Sequence, residues 1–200
     1  MIFVPSIQKQ IDFKPLTIKQ YKDILKSNRL NQFKGTGFNL GIINVIEEGL
    51  NSIELITDFD KHIIALQLRY RDILLKEIIQ KVKHPKEKKI KEDIYCVTLK
   101  VPFLNLEKQY TEYILQNKNS SADMLILAEI VKYISYLSIN STDINFNINY
   151  KDKIDIVKDI PVPILAKCIN YIDTVKEDIN KYYDTIGYTH SKYSVSLLIL

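Results

Sequence analysis

The 200-residue sequence predicts an α+β fold, mainly helical, with short antiparallel strands at the N-terminus, in the middle and at the C-terminus. Three observations predict it. Apolar residues recur at spacings of three and four in several segments, the period of a helix with one buried face. Between them lie short runs that alternate apolar and polar, the period of a half-buried strand. The few Pro and Gly residues fall between these runs and punctuate them.

In chain order, Ile2-Phe3-Val4, a break at Pro5-Ser6, and the returning Ile11, Phe13 and Leu16 read as a hairpin. Thr17 is placed to cap a helix over 18–26. The polar stretch 27–37, ending Gly35-Thr36-Gly37, reads as a loop, after which Asn39 opens a short helix that Gly49 ends. Thr57 caps the next helix, with Asp58 and Asp60 in a first turn where carboxylates suit the helix dipole. Phe59, Ile63, Leu66 and Tyr70 form its stripe.

The segment 81–91 holds six lysines, His84, Pro85 and one Glu. Like charges so dense repel and cannot be buried, so it reads as a surface loop joining two lobes, 1–80 and 92–200, of one domain. Tyr95, Val97, Leu99 and Val101 alternate as a strand over 93–101, ended by Pro102. Helices follow over about 106–116 and from Ser120 or Ser121, the second with the stripe Met124, Leu127, Val131, Ile134 and Tyr136–Leu137. Ile144, Phe146, Ile148 and Tyr150 alternate with Asp143, Asn145, Asn147 and Asn149, which predicts a two-faced strand over 143–150. Pro163 suits the first turn of a long helix with the stripe Leu165, Cys168, Ile169, Ile172, Val175, Ile179 and Tyr182, and 194–200 reads as a terminal strand.

A chain of this length buries roughly 70% of its unfolded surface and needs neither metal nor disulfide to fold. The apolar fraction of 46% excludes general disorder. The net charge of +4 does not demand a polyanionic partner, and Arg29, Arg69 and Arg71 are the only arginines, too few for a dedicated reader of bases and phosphates. Cys96 and Cys168 read as free thiols that pack as small hydrophobes. No run approaches the ~18 apolar residues of a membrane span, and the opening MIFVPSIQKQ has no secretory pattern.

Catalytic signals are weak. His62, His84 and His190 have no carboxylate or Cys at metal-ligand spacing, and no H-E-x-x-H, C-x-x-C or G-x-S-x-G occurs. Gly35 to Gly41 imitates a dinucleotide loop, but no buried strand precedes it to aim backbone amides at a phosphate. The expectation is therefore no catalytic residue, no cofactor and no metal. Thirteen tyrosines, among them Tyr110, Tyr113, Tyr133, Tyr136, Tyr171 and Tyr182 near apolar stripes, favour an interaction protein, since Tyr can bury its ring and keep a polar contact. Partner contact is expected at the two late strands, through Phe146, Ile148, Tyr150, Val195, Leu197 and Ile199, because a strand edge can accept a strand from another protein. The alternative is that these two strands pair with each other.

Three blocks carry a resemblance. Val4-Pro5-Ser6, Lys9 and the run from Ile11 through Phe13-Lys14-Pro15-Leu16 to Lys22 form the first. Ile56 to Arg69, with its Asp-Lys pair before an apolar run ending Leu-Arg, is the second, and Ile160-Pro161-Val162-Pro163-Ile164 is the third. In that order they resemble the T4-type phage baseplate family of hub subunits and hub-assembly proteins, apart from Ile7-Gln8-Lys9, where the family has a Gly-Lys turn. The resemblance implies a non-enzymatic tail protein that acts as a component or chaperone of the contractile-tail baseplate hub. Its partners would be other tail proteins or a second copy of itself, in the virion or in the host cytoplasm during assembly. The alternatives are a chaperone of the tape-measure protein and, from another class, a nucleic-acid-binding accessory protein using the lysine run.

Overall fold

The computed structural model describes residues 1–15, 17–19, 22, 34–50, 53–69 and 83–185. The fold is α+β: the described residues form six helices and short antiparallel strands in two small sheets. Strands β1 (Ile2–Val4) and β2 (Lys9–Ile11) form the N-terminal hairpin, with Ile2 opposite Ile11 and Val4 opposite Lys9. The return strand thus lies earlier than the expected Ile11, Phe13 and Leu16, and Phe13 follows it outside the strand. Gln8 turns the chain at φ 52°, and its side chain donates to the Pro5 carbonyl at 2.7 Å.

Helix α1 spans Lys34–Gly49, so Gly35-Thr36-Gly37 lies inside a helix rather than in the expected loop, and Asn39 is a turn past the start rather than at it. Gly49 does end the helix. A Cβ there would stand 2.1 Å from the Phe13 ring, so this close approach needs glycine. The expected helix over 18–26 falls largely outside the described residues.

Helix α2 (Asp58–Arg69) begins where Thr57 predicts. Thr57 Oγ1 accepts from the Asp60 amide at 3.3 Å, and Asp60 Oδ2 accepts from the Thr57 amide at 2.8 Å, a reciprocal cap with Asp in the usual Glu position. Phe59 and Ile63 are buried as the stripe requires. The side chains of Leu66 and Tyr70 are outside the described residues.

The lysine segment is not wholly a loop. Residues 88–92 form β3 (Lys88–Glu92), paired with β4 (Tyr95–Leu99). Its one apolar residue, Ile90, faces Val97 in the core, which is why five residues rich in Lys hold a strand. Helices α3 (Leu104–Gln116) and α4 (Ala122–Tyr133) follow. The chain then passes directly into β5 (Ile134–Ile139), so Ile134 and Leu137, expected on a helix, sit in a strand next to β4. Asn140 and Ser141, both at positive φ, turn β5 into the two-residue β6 (Thr142–Asp143), giving the sheet order β3-β4-β5-β6.

The expected strand over 143–150 does not form beyond Asp143. Residues 144–149 are irregular, and Tyr150 opens helix α5 (Tyr150–Val157). The asparagines explain this. Asn145 Oδ1 accepts from the Asn147 amide at 2.8 Å, and Asn149 Oδ1 caps α5 through the Asp152 amide at 2.9 Å. Both divert backbone donors from a ladder. The long helix α6 (Val162–Thr185) carries Pro163 in its first turn, where no intrahelical donor is lost. Its buried line is Ile164, Cys168, Ile172, Val175 and Ile179, while Ile169 points outward. The terminal strand expected at 194–200 lies outside the described residues.

Two apolar cores result. The smaller joins Ile2, Val4, Ile43, Ile46 and Ile64 with Leu104 of α3. The larger lies between the four-stranded sheet and the helices α3 to α6, and takes in Phe59 and Ile63 of α2. Helices α2 and α3 thus contribute to both cores. Cys96 is half-buried, Cys168 is buried, and both are free thiols; burial raises the Cys168 thiol to about 11.

Candidate functional site

Among the described residues, ionisable side chains gather in two places where α2 meets its neighbours. The first is a buried ionic cluster among α1, α2, α3 and α4. Helix α3 turns Glu107 inward, 3% exposed, where Lys132 of α4 meets its Oε2 at 2.7 Å. Lys61 of α2 approaches Oε1 at 3.9 Å, bonds Asn39 and pairs with Asp58 one turn earlier. Asn39 donates to Glu107 Oε1 at 2.6 Å and to Thr111 Oγ1 at 3.2 Å. Lys132 also reaches Glu129 at 3.3 Å and lies 4.1 Å from the Tyr110 ring centroid. The Tyr110 hydroxyl donates to Glu129 at 2.8 Å, and Lys176 of α6 closes the outer side at 3.3 Å from Glu129.

Three carboxylates and three ammonium groups therefore balance, which is the condition for burying charge at tolerable cost. Burial works against the Asp58 carboxylate, but the Lys61 ammonium beside it, with Lys132 behind, holds it well below the usual range. For Lys132 burial is outweighed by Glu107 and Glu129, which keep it charged. Glu107 is shifted upward, first by burial and then by the negative Asp58. A lysine locked between two carboxylates is neither a base nor a nucleophile, since such chemistry needs its proton loosened. This arrangement can fix helix positions.

The second place gathers a hydroxyl, an imidazole and a carboxylate: Thr57, His84 and Asp60. Thr57 Oγ1 is 2.7 Å from Asp60 Oδ2 and 3.0 Å from His84 Nε2, and Asp60 Oδ1 accepts from the Ser6 amide at 2.9 Å. His84 Nδ1 is 3.0 Å from the Pro85 carbonyl, which can only accept, so Nδ1 carries a proton. In a nucleophilic triad the carboxylate orients the imidazole. Here Asp60 bonds Thr57 and Ser6 instead, and Thr57 is 2% exposed. The geometry ties the β1–β2 turn and the 83–87 segment to the start of α2. Burial lowers the His84 imidazole, against the pull of Asp60.

His62, half-buried on α2, is lowered to about 4 by burial and by the neighbouring Lys61 charge. Its folded value lies below the ordinary 6.5, so as pH falls the unfolded chain takes up this proton first. The stability His62 permits is complete above pH 6.5 and is lost progressively down to about pH 4. The expected loss is about 2 kcal/mol, discounted for partial exposure. Urea midpoints at the two ends of that window should differ accordingly, and His62→Gln should flatten the difference.

The predicted contact residues are dispersed. Phe146 and Ile148 are half-buried in the irregular link, with Phe146 packed on the larger core. Tyr150 is buried, its ring 5.6 Å from that of Tyr113 and its hydroxyl donating to the Ala128 carbonyl at 2.6 Å. It braces α5 against α4 and forms no docking edge. Tyr150→Phe should cost about 1 kcal/mol in urea unfolding, the net worth of one such bond. Val195, Leu197 and Ile199 lie outside the described residues.

Sequence reasoning found Thr57, Asp58 and Asp60 as cap and first turn. It missed Lys61, Glu107, Lys132 and Glu129, which look like ordinary surface charges in a linear pattern. The signal available was that Glu107, Thr111 and Ile114 share one helix face, a polar pair on the buried side. Among the described residues, no group of three or more His, Cys, Asp and Glu side chains is placed to hold a metal ion, and no helix is long and apolar enough to cross a membrane. No family model, curated protein or solved structure matches this chain.

Proposed function

We propose that this chain is a non-enzymatic component or assembly factor of a contractile-tail baseplate hub, acting by binding other tail proteins. The observation that carries the reading is the closure of the buried charges upon one another. Among the described residues, the charged side chains of this cluster are engaged with one another and hold α1 to α4 together. The surface offers a strand edge at β3 and exposed apolar residues on α4, Leu125 at 37% and Ile126 at 50%. The three blocks that resemble the baseplate family supply the hairpin, the capped start of α2 and the opening of α6, which supports the same reading.

Quantitative mass spectrometry of purified hub intermediates tests it. The chain is expected at a fixed molar ratio to the hub proteins. Its recovery only as free protein at every stage of assembly would refute the proposal. The exposed lysines of β3 favour one second reading, binding of nucleic acid. Phosphate-driven binding falls steeply with salt and would show as oligonucleotide retention at low ionic strength.

A further inference from the structure

We infer that the outer edge of β3 accepts an acidic, extended segment of a partner protein as a fifth strand of the sheet. This rests on the reading of the chain as a protein-binding component and names the partner's chemistry.

Strand β3 pairs with β4 alone among the described strands. The two are joined by the two-residue turn Asp93-Ile94, and Glu92 faces Tyr95 across its base. In such a hairpin the closing pair exchanges backbone hydrogen bonds, and bonded pairs recur at every second residue. Glu92, Ile90 and Lys88 therefore bond toward β4. The amides and carbonyls of Lys89 and Lys91 point away from it, along the open edge.

The side chains sharpen this. Ile90 faces the core, so Lys89 and Lys91 stand on the opposite face, beside Thr98 and Cys96 of β4. Lys86, Lys88, Lys89 and Lys91 are all exposed, and none is in an ion pair with a described residue. The nearby Glu92 is already engaged by Lys167 at 2.5 Å. Among the described residues, the edge thus joins backbone groups without a strand partner to positive charge without an ion-pair partner.

Such an edge repels a second copy of itself, since Lys would face Lys, and this protects it against self-pairing. Acidic side chains at every second position of an incoming strand would stand beside Lys89 and Lys91, where opposite cross-strand charges attract. Nucleic acid fits less well. Residues 83–92 contain no Arg, and the exposed aromatic on that sheet face, Tyr136, is bonded to the carboxylate of Asp143. Stacking platforms need several free rings.

The test uses an acetylated octapeptide of alternating Glu and Val, its counterpart with Lys for Glu, and a single-stranded oligonucleotide. Binding is read by fluorescence anisotropy and by amide hydrogen exchange on the full chain. The acidic peptide should bind and slow exchange at the Lys89 and Lys91 amides. Lys89→Glu/Lys91→Glu should weaken it by about tenfold or more, with Lys89→Gln/Lys91→Gln intermediate. All three proteins should keep the same melting temperature, because the substituted side chains are exposed. Acidic-peptide binding without protection of those amides, equal binding of the Lys peptide, preference for the oligonucleotide, or no binding would each overturn the inference. If the peptide fails while the chain is found at a fixed ratio in hub intermediates, the docking inference falls and the assembly reading stands. If the peptide binds but the chain is missing from those intermediates, the assembly reading falls.

Discussion

Lys132→Met is expected to destabilise the protein by about 3–5 kcal/mol, because it leaves buried carboxylates without their central cation. Glu107 is 3% exposed and would keep only Lys61, at 3.9 Å, as a counter-charge. Glu129 would keep Lys176 at its outer side. Met fills much of the same volume and can lie against the Tyr110 ring, so lost packing is a small part of the effect. Removing both ends of the pair should hurt less than removing one. Lys132→Met combined with Glu107→Leu is expected to be more stable than Lys132→Met alone, since an apolar pair needs no charge compensation. Urea unfolding of the two single variants and the double variant gives the coupling directly. Strict additivity would show that the two charges do not interact.

Phe59→Ala is expected to cost about 3–5 kcal/mol, the range for deleting a buried aromatic ring. Phe59 is 1% exposed, lies within the capped first turn of α2 and belongs to the larger core. Its ring also meets His84 edge-on, with centroids 5.5 Å apart. The variant should therefore shift the His84 imidazole resonances as well as lower the unfolding midpoint. An unchanged His84 signal would mean that the Phe59 ring does not help to place the imidazole, leaving that to its contacts with Thr57 and the Pro85 carbonyl.

Much of this fold could be read from local pattern. The hairpin at Ile2–Ile11, the Thr57 cap, the strand at Tyr95–Leu99 and the long helix after Pro161 each have their signal within a few residues. Misreadings arose where partners distant in sequence decide. Ile134 and Leu137 continue the helical spacing of Val131, yet pairing with β4 makes them a strand, and no Gly or Pro marks the change. Residues 143–150 alternate strictly, but alternation gives side-chain polarity only. Asn145 and Asn149 spend the local amides on turn and cap bonds. Gly35 and Gly37 read as loop residues, while α1 extends over them as it packs on α3. Tertiary context overrides a propensity difference of about 1 kcal/mol per glycine.

The ionic cluster was the least legible feature. Lys61, Glu107 and Lys132 lie on three different helices. Lys61 and Glu107 have charged sequence neighbours that give them the look of solvated residues, and Lys132, within the apolar run Ile130–Ile134, shows no partner in the linear sequence. Only the crossing of α2, α3 and α4 turns them toward one another. The same applies to His84, which reaches Thr57 through the path of the chain into β3.

The most direct test of the central claim, that this chain acts by binding in the assembly of a contractile-tail baseplate, is a complementation titration. Extracts that assemble tails are depleted of the chain, purified protein is added back in graded amounts, and completed baseplates are counted by electron microscopy. Few or no baseplates are expected in the depleted extract, with a yield that rises with the amount of protein added. A depleted extract that builds baseplates at the normal yield, with no response to the added protein, would contradict that claim.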